Sequence, residues 1–143
     1  MKDLSAFSVM VKQPIAWGDM DAYIHVNNVM YFRYFESARI AYFSQIEFNR
    51  QRTTQIDIGP ILAHTSCNFI QPLTYPDTIE IGAKVIKIGT TSLIMEHAII
   101  SPKLGLVATG ESVVVCFDFI KNHKTPISPS LKKTIELFEQ RQF

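Results

Sequence analysis

Between Trp17 and Phe32 the chain reads WGDMDAYIHVNNVMYF. Asp19 and Asp21 bracket one methionine, His25 follows, and Asn27 and Asn28 open an aromatic run. Acids just ahead of a helix start suit acyl transfer. A carboxylate can attack a carbonyl carbon or take a proton from water. A helix N-terminus presents unpaired amides and a partial positive charge, and these can hold a developing oxyanion. Asp21 fits the first role and the amides near Val26, Asn27 and Asn28 fit the second. His25 can orient the carbonyl or donate a hydrogen bond to it. The same residues also have a plainer use. Asp19 and Asp21 bond readily to nearby backbone as turn formers, and His25 can be a satisfied loop residue. Residue types alone leave both readings open.

The elements that must position these groups follow from periodicity. Val9 to Trp17 reads as a strand, and Pro14 within it points to a sheet edge or a bulge. From Val29 to about Phe48 there is no Gly or Pro. There Arg33, Ser37, Ile40, Ser44 and Glu47 form a thin, mostly polar stripe on an otherwise apolar and aromatic helix, so the helix is expected to be buried on most sides. Asn27 or Asn28 is its cap. NRQRTTQIDIGP is a loop. ILAHTSCNFIQPL alternates with Ile61, Ala63, Thr65, Cys67 and Phe69 on one face. PDTIEIGAKVIKI alternates through Val85 and then changes face, the mark of a bulge or of a strand buried on both sides. GTTSLIMEHAII and LVATGESVVVCFDFI supply two more strands, and NHKTPISP breaks the pattern. SPSLKKTIELFEQ is a short helix capped by Ser128 or Ser130, with Ile135 and Phe138 inward. Strands joined by short turns pair antiparallel. The expected fold is α+β, one long helix wrapped by a five- to six-stranded antiparallel sheet, in a single domain over 1–143. Free sheet edges invite a second copy.

Composition narrows the chemistry. The chain has 143 residues, 47% hydrophobic, and a formal net charge of +1. That supports one packed core and gives no support for a general nucleic-acid binder. Motifs for a serine elbow, a phosphate loop or a zinc site do not occur, and His25, His64, His97 and His123 are scattered. No metal is expected. Cys67 and Cys116 lie in apolar runs and read as reduced core thiols. With no apolar stretch long enough for a signal peptide or a membrane helix, the expected location is cytoplasmic. Glu36 and Arg39, three apart on the helix, are expected to form a buried ion pair.

The stretch WGDMDAYIHVNNVMYFRYFESAR resembles the helix-entry motif of the 4-hydroxybenzoyl-CoA thioesterase family of hotdog-fold acyl-CoA thioesterases. The matching positions are Asp19, Asp21, His25, Asn27, Tyr31, Glu36 and Arg39, within the H-V-N-N subgroup. The strand region ILAHTSCNFIQPLTYPDTIEIGAKVIKIGTTS and the PISP before the last helix are similar too. The resemblance implies a hotdog fold and hydrolysis of an acyl-CoA or acyl-carrier-protein thioester to acid and thiol. It implies Asp21 as nucleophile or general base, with His25 and the Val26 amide near the carbonyl. Tyr23, Tyr31 and Ser92 are candidates for the site lining. No cofactor is implied, since coenzyme A belongs to the substrate, and the site is expected at the interface of a homodimer or homotetramer. Lys84, Lys87, Lys103, Lys121 and Lys124 are either phosphate contacts or ordinary solvated lysines. A non-catalytic acyl-CoA-binding module and an enoyl thioester hydratase are the alternative functions.

Overall fold

The computed structural model describes residues 6–50 and 55–143. Residues 1–5, and 51–54 within the loop expected over 49–60, lie outside the described residues. The elements run β1 (Val9–Pro14), α1 (Asn28–Gln45), β2 (Ile58–Phe69), β3 (Thr78–Ile88), β4 (Ser92–Ser101), β5 (Gly105–Asp118), β6 (His123–Lys124) and α2 (Pro129–Glu139), with one 3-10 turn at Trp17–Asp19. The strands form one antiparallel six-stranded sheet in the order β1-β3-β4-β5-β2, and β6 adds to β5. β1, with its Pro14, and β2 are the edges. β6 sits where the sequence pattern breaks. Asp118 Oδ1 accepts from the amides of Ile120 and Lys121 at 3.0 and 2.9 Å, and this turn lays His123 beside Asp118.

The inner face of the sheet carries Ile79, Ile81, Ala83 and Val85 of β3 and Leu93, Met95, His97 and Ile99 of β4, all buried. α1 crosses this face and packs with Tyr31, Tyr34, Phe35, Ala38, Arg39, Tyr42 and Phe43. Gly110 sets how closely it packs, because a Cβ there would lie 2.5 Å from the Phe35 ring. Asn27 is the cap, its Oδ1 accepting from the Val29 amide at 3.2 Å. At the other end Glu47 takes φ 57° and the Phe48 amide closes on the Phe43 carbonyl at 2.9 Å, so the chain leaves the helix in a left-handed turn.

Three expectations change. β2 begins at Ile58, so the last three residues of the expected loop pair with β5. β2 shifts register between Leu62 and His64, so Ala63 is a bulge and the alternation flips there. Leu62 therefore lines the same hollow as Thr65 instead of facing away from it. α1 is also less enclosed than its mostly apolar surface led one to expect. The helix lies closest to β3 and β1, which leaves Val29 64% and Ile40 55% exposed and opens a groove on the β2 side.

α2 closes the far end. Its cap is Ser128, whose Oγ accepts from the Leu131 amide at 3.0 Å, and Ile135 is fully buried. Glu139 accepts from Tyr42 at 2.5 Å and from Ser8, and it also takes the Val85 amide at 2.9 Å beside a second bulge between Val85 and Lys87.

Candidate active site

The stretch before α1 folds as a small hairpin. Met20 bridges Val26, the Asp21 amide donates to the His25 carbonyl at 2.9 Å, and the Ile24 amide returns to the Asp21 carbonyl at 3.0 Å. A three-residue hairpin loop of this kind needs a left-handed third residue, ordinarily Gly. Here it is Ile24, at φ 62°, an unfavourable conformation for a β-branched side chain.

The two acids divide their work. Asp19 Oδ2 accepts from the Ala16 amide at 3.0 Å and from the Tyr34 hydroxyl at 2.9 Å, tying the hairpin base to α1. Burial, together with this bond to a carboxylate, pushes the Tyr34 pKa far up, so the phenol stays a donor. Asp21 is exposed. Its Oδ1 accepts from the Tyr23 amide at 2.8 Å, and its other oxygen has no partner among the described residues. His25 Nδ1 lies 2.9 Å from the Tyr23 carbonyl. A carbonyl oxygen only accepts, so Nδ1 carries the proton and the neutral ring keeps Nε2 as an acceptor.

The amides at the helix start are not equivalent. Val26 donates to the Leu73 carbonyl at 2.8 Å and Asn27 to the Asp19 carbonyl at 3.0 Å, while the Val29 amide is taken by the Asn27 cap. Neither the Val26 nor the Asn27 amide is therefore available to an oxyanion. The sequence expectation narrows to Asn28, whose amide has no acceptor among the described residues. Val26 and Asn27 instead anchor the hairpin.

His25, Val26 and Asn28 rim a cleft of about 300 Å³ completed by Tyr31, Phe69, Ile70, Gln71 and Pro72. The Tyr31 hydroxyl accepts from the Leu73 amide at 3.3 Å and lies 3.5 Å from the Gln71 carbonyl, which fixes that wall. Tyr23 is 84% exposed at the hairpin tip. Ser92 is paired with Val115 at the opposite end of β4 and does not line this cleft. A hollow of about 330 Å³ between the end of α1 and the start of α2 contains none of the expected site residues.

The Glu36–Arg39 ion pair does not form. Glu36 reaches Arg33 at 3.6 Å on the surface, and buried Arg39 donates to Ser112 Oγ at 3.1 Å. Ser112 Oγ is 2.8 Å from His97 Nε2, and His97 Nδ1 lies 3.2 Å from the Gly82 carbonyl. That carbonyl makes Nδ1 the donor, so Ser112 donates to Nε2 and accepts from Arg39, and His97 and Ser112 are both satisfied. Burial, reinforced by the Arg39 charge, lowers the His97 pKa to about 3. The only sequence signal for this chain of bonds was a His and a Ser at core-facing positions of two strands. Among the described residues no group of three or more His, Cys, Asp or Glu could hold a metal ion.

A family model for the thioesterase-like superfamily matches residues 15–135. The chain belongs to that superfamily. This hotdog domain is also similar to a solved thioesterase complexed with coenzyme A and Zn from Thermus thermophilus. The two are 25% identical, with a TM-score of 0.83, over 96% of this chain and 98% of that one. The PA2801 protein of Pseudomonas aeruginosa is 29% identical with a TM-score of 0.79, over 90% of this chain and 98% of that one. A 1,4-dihydroxy-2-naphthoyl-CoA thioesterase from Synechocystis shares the fold at 16% identity and a TM-score of 0.77, over 89% and 94% of the two chains. The YsmA protein of Bacillus subtilis (strain 168) is 27% identical over 96 residues, and the match spans 65% of this chain and 61% of that protein. No helix among the described residues is long and apolar enough to cross a membrane.

Proposed function

We propose that this hotdog domain hydrolyses an acyl-CoA or acyl-carrier-protein thioester, using Asp21 and neither a metal nor a cofactor. One observation carries the reading. The exposed Asp21 carboxylate shares a hairpin with His25 and precedes the helix start, and among the described residues one Asp21 oxygen and the Asn28 amide have no partner. As general base, Asp21 takes a proton from a water whose oxygen attacks the thioester carbon. The carbonyl oxygen becomes an oxyanion facing the Asn28 amide and the positive end of α1. The carbon–sulfur bond then breaks, the departing thiolate takes the proton back from Asp21, and acid and thiol leave. As nucleophile, Asp21 would instead displace the thiolate from the acyl carbon and form a mixed anhydride, which water opens to the acid and the free carboxylate. Neutral His25 has an acceptor at Nε2, so it holds the attacking water, and donation to the carbonyl requires the imidazolium.

The motif Asp19, Asp21, His25, Asn27, Tyr31, Glu36 and Arg39 supports a kinship with the 4-hydroxybenzoyl-CoA thioesterases within that superfamily. The likeness to a Thermus thermophilus thioesterase that holds coenzyme A supports a coenzyme A thioester as substrate. We further assign a homodimer or homotetramer and a cytoplasmic location. The open β2 edge, with Leu62 41% and Phe69 51% exposed, supports the first. Two free cysteines support the second. The test is thiol release from short, medium, long and aromatic acyl-CoAs by wild type and Asp21→Asn. Release by the wild type and its loss in the variant is the expected result. Equal release by both moves the chemistry away from Asp21.

A further inference from the structure

The groove between α1 and the free edge of β2 is interrupted. Beside His25 and Val26 it is the cleft of about 300 Å³, and further along α1 it opens again into a hollow of about 540 Å³. Val29, Phe32, Leu62 and Thr65 wall that hollow on its near side, and the charged Arg33, Glu36 and Arg39 line it further along α1. Between the two spaces stand aromatic rings. Phe69, at the end of β2, meets Tyr31 edge-on at 4.9 Å and 78°, and Phe32 at 6.4 Å and 81°. Phe32 is itself braced edge-on by fully buried Phe35 at 6.3 Å, and Tyr31 is held by its hydroxyl. The helix side of this partition is therefore fixed. Phe69 is its half-exposed member and packs on the other two from across the groove.

We propose that Phe69 sets the length of acyl group the site accepts, by closing the cleft beside His25 against the hollow along α1. The proposal rests on the thioesterase reading. A thioester carbonyl placed at the Asn28 amide has one polar and one apolar substituent. The coenzyme arm is charged and stays in water, while the acyl group gains by entering a cleft walled by Val26, Tyr31, Phe69, Ile70 and Pro72. An unbranched acyl chain growing along α1 meets the Phe69 ring before it reaches the larger hollow.

The experiment measures binding of non-hydrolysable acyl-CoA thioethers of increasing chain length to wild type, Phe69→Ala and Phe69→Trp. Each methylene that enters an apolar site tightens binding about fourfold. Wild-type affinity should rise with length and then level off where the chain meets Phe69. In Phe69→Ala the levelling should move several carbons longer, with a gain of at least about tenfold for the longest analogue. In Phe69→Trp it should move shorter. Phe69→Val, which keeps strand propensity, repeats the first variant if Ala fails to fold. The same levelling length in all variants overturns the proposal. So does an equal gain at every length, failure of every analogue to bind, or a change in oligomeric state alone. Thiol release assayed in parallel separates the two readings. A moving length limit without turnover sinks the thioesterase and keeps the gate, and turnover with an unmoved limit does the reverse.

Discussion

The hairpin before α1 and the bonded chain beneath it make an instructive pair. By composition the buried region looks the more catalytic. Ser112 donates to His97 at 2.8 Å, and His97 is oriented by a carbonyl through its other nitrogen, the arrangement of an activated serine. Yet Ser112 and His97 are both 0% exposed, and α1 lies over them. No substrate reaches that hydroxyl. It instead gives its proton to His97 and accepts from buried Arg39, and the three side chains lock α1 onto β4 and β5. The hairpin has the poorer inventory, one carboxylate and one imidazole, but both are exposed, and the helix that follows opens on an amide with no acceptor among the described residues. Exposure to solvent, rather than residue type, separates the two regions.

The largest contrast should come from Asp21→Asn. We expect turnover to fall by about a hundredfold or more with an unchanged melting temperature, since the carboxylate is exposed. A parallel loss of stability would erase the distinction between the two regions. Ser112→Ala should do the opposite. It strands Arg39 and His97 in the core, and urea unfolding should register a loss of about 2 kcal/mol, while the folded fraction turns over at the wild-type rate. His97 adds a pH signature. Its pKa is depressed to about 3 in the folded state, below the usual histidine value of 6.5. The unfolded chain therefore takes up a proton first as pH falls. The stability from neutral His97 is complete above pH 6.5 and is lost as pH drops toward 3. Between about pH 6.5 and 5 the slope should be about 1.4 kcal/mol per pH unit at most, and His97→Gln should flatten it. A slope unchanged by that substitution would mean that His97 is not the titrating group. The smallest effect belongs to Ile24→Gly. Relief of about 1–2 kcal/mol of left-handed strain exceeds the entropic cost of glycine, about 0.5–1 kcal/mol. The melting temperature should rise by about 2 °C, and a fall would show that the Ile24 side chain holds the hairpin.

Much of the hairpin was legible because its interactions are local. A cap, an Asx turn and a helix free of Gly and Pro are settled within a few residues of chain, and the period of two marks strands wherever one face is buried. The sequence alone thus determined the α+β order, the long helix, the antiparallel strands and the nomination of Asp21, His25 and the helix start. Tertiary structure decided what depends on partners distant in sequence. Asp19 and Asp21 are chemically equal until Tyr34, fifteen positions on, engages one of them. The Val26 amide is free until the Leu73 carbonyl arrives. Arg39 was set toward Glu36 one turn away, but packing against β5 gave it Ser112, 73 positions distant. The bulge at Ala63 breaks an alternation that the side chains otherwise keep, whereas the change of face after Val85 already marked the one at Ile86. In each case the deciding term is burial. A buried polar group must take whatever partner the fold brings within hydrogen-bond reach, and periodicity along the chain carries no record of which partner that is.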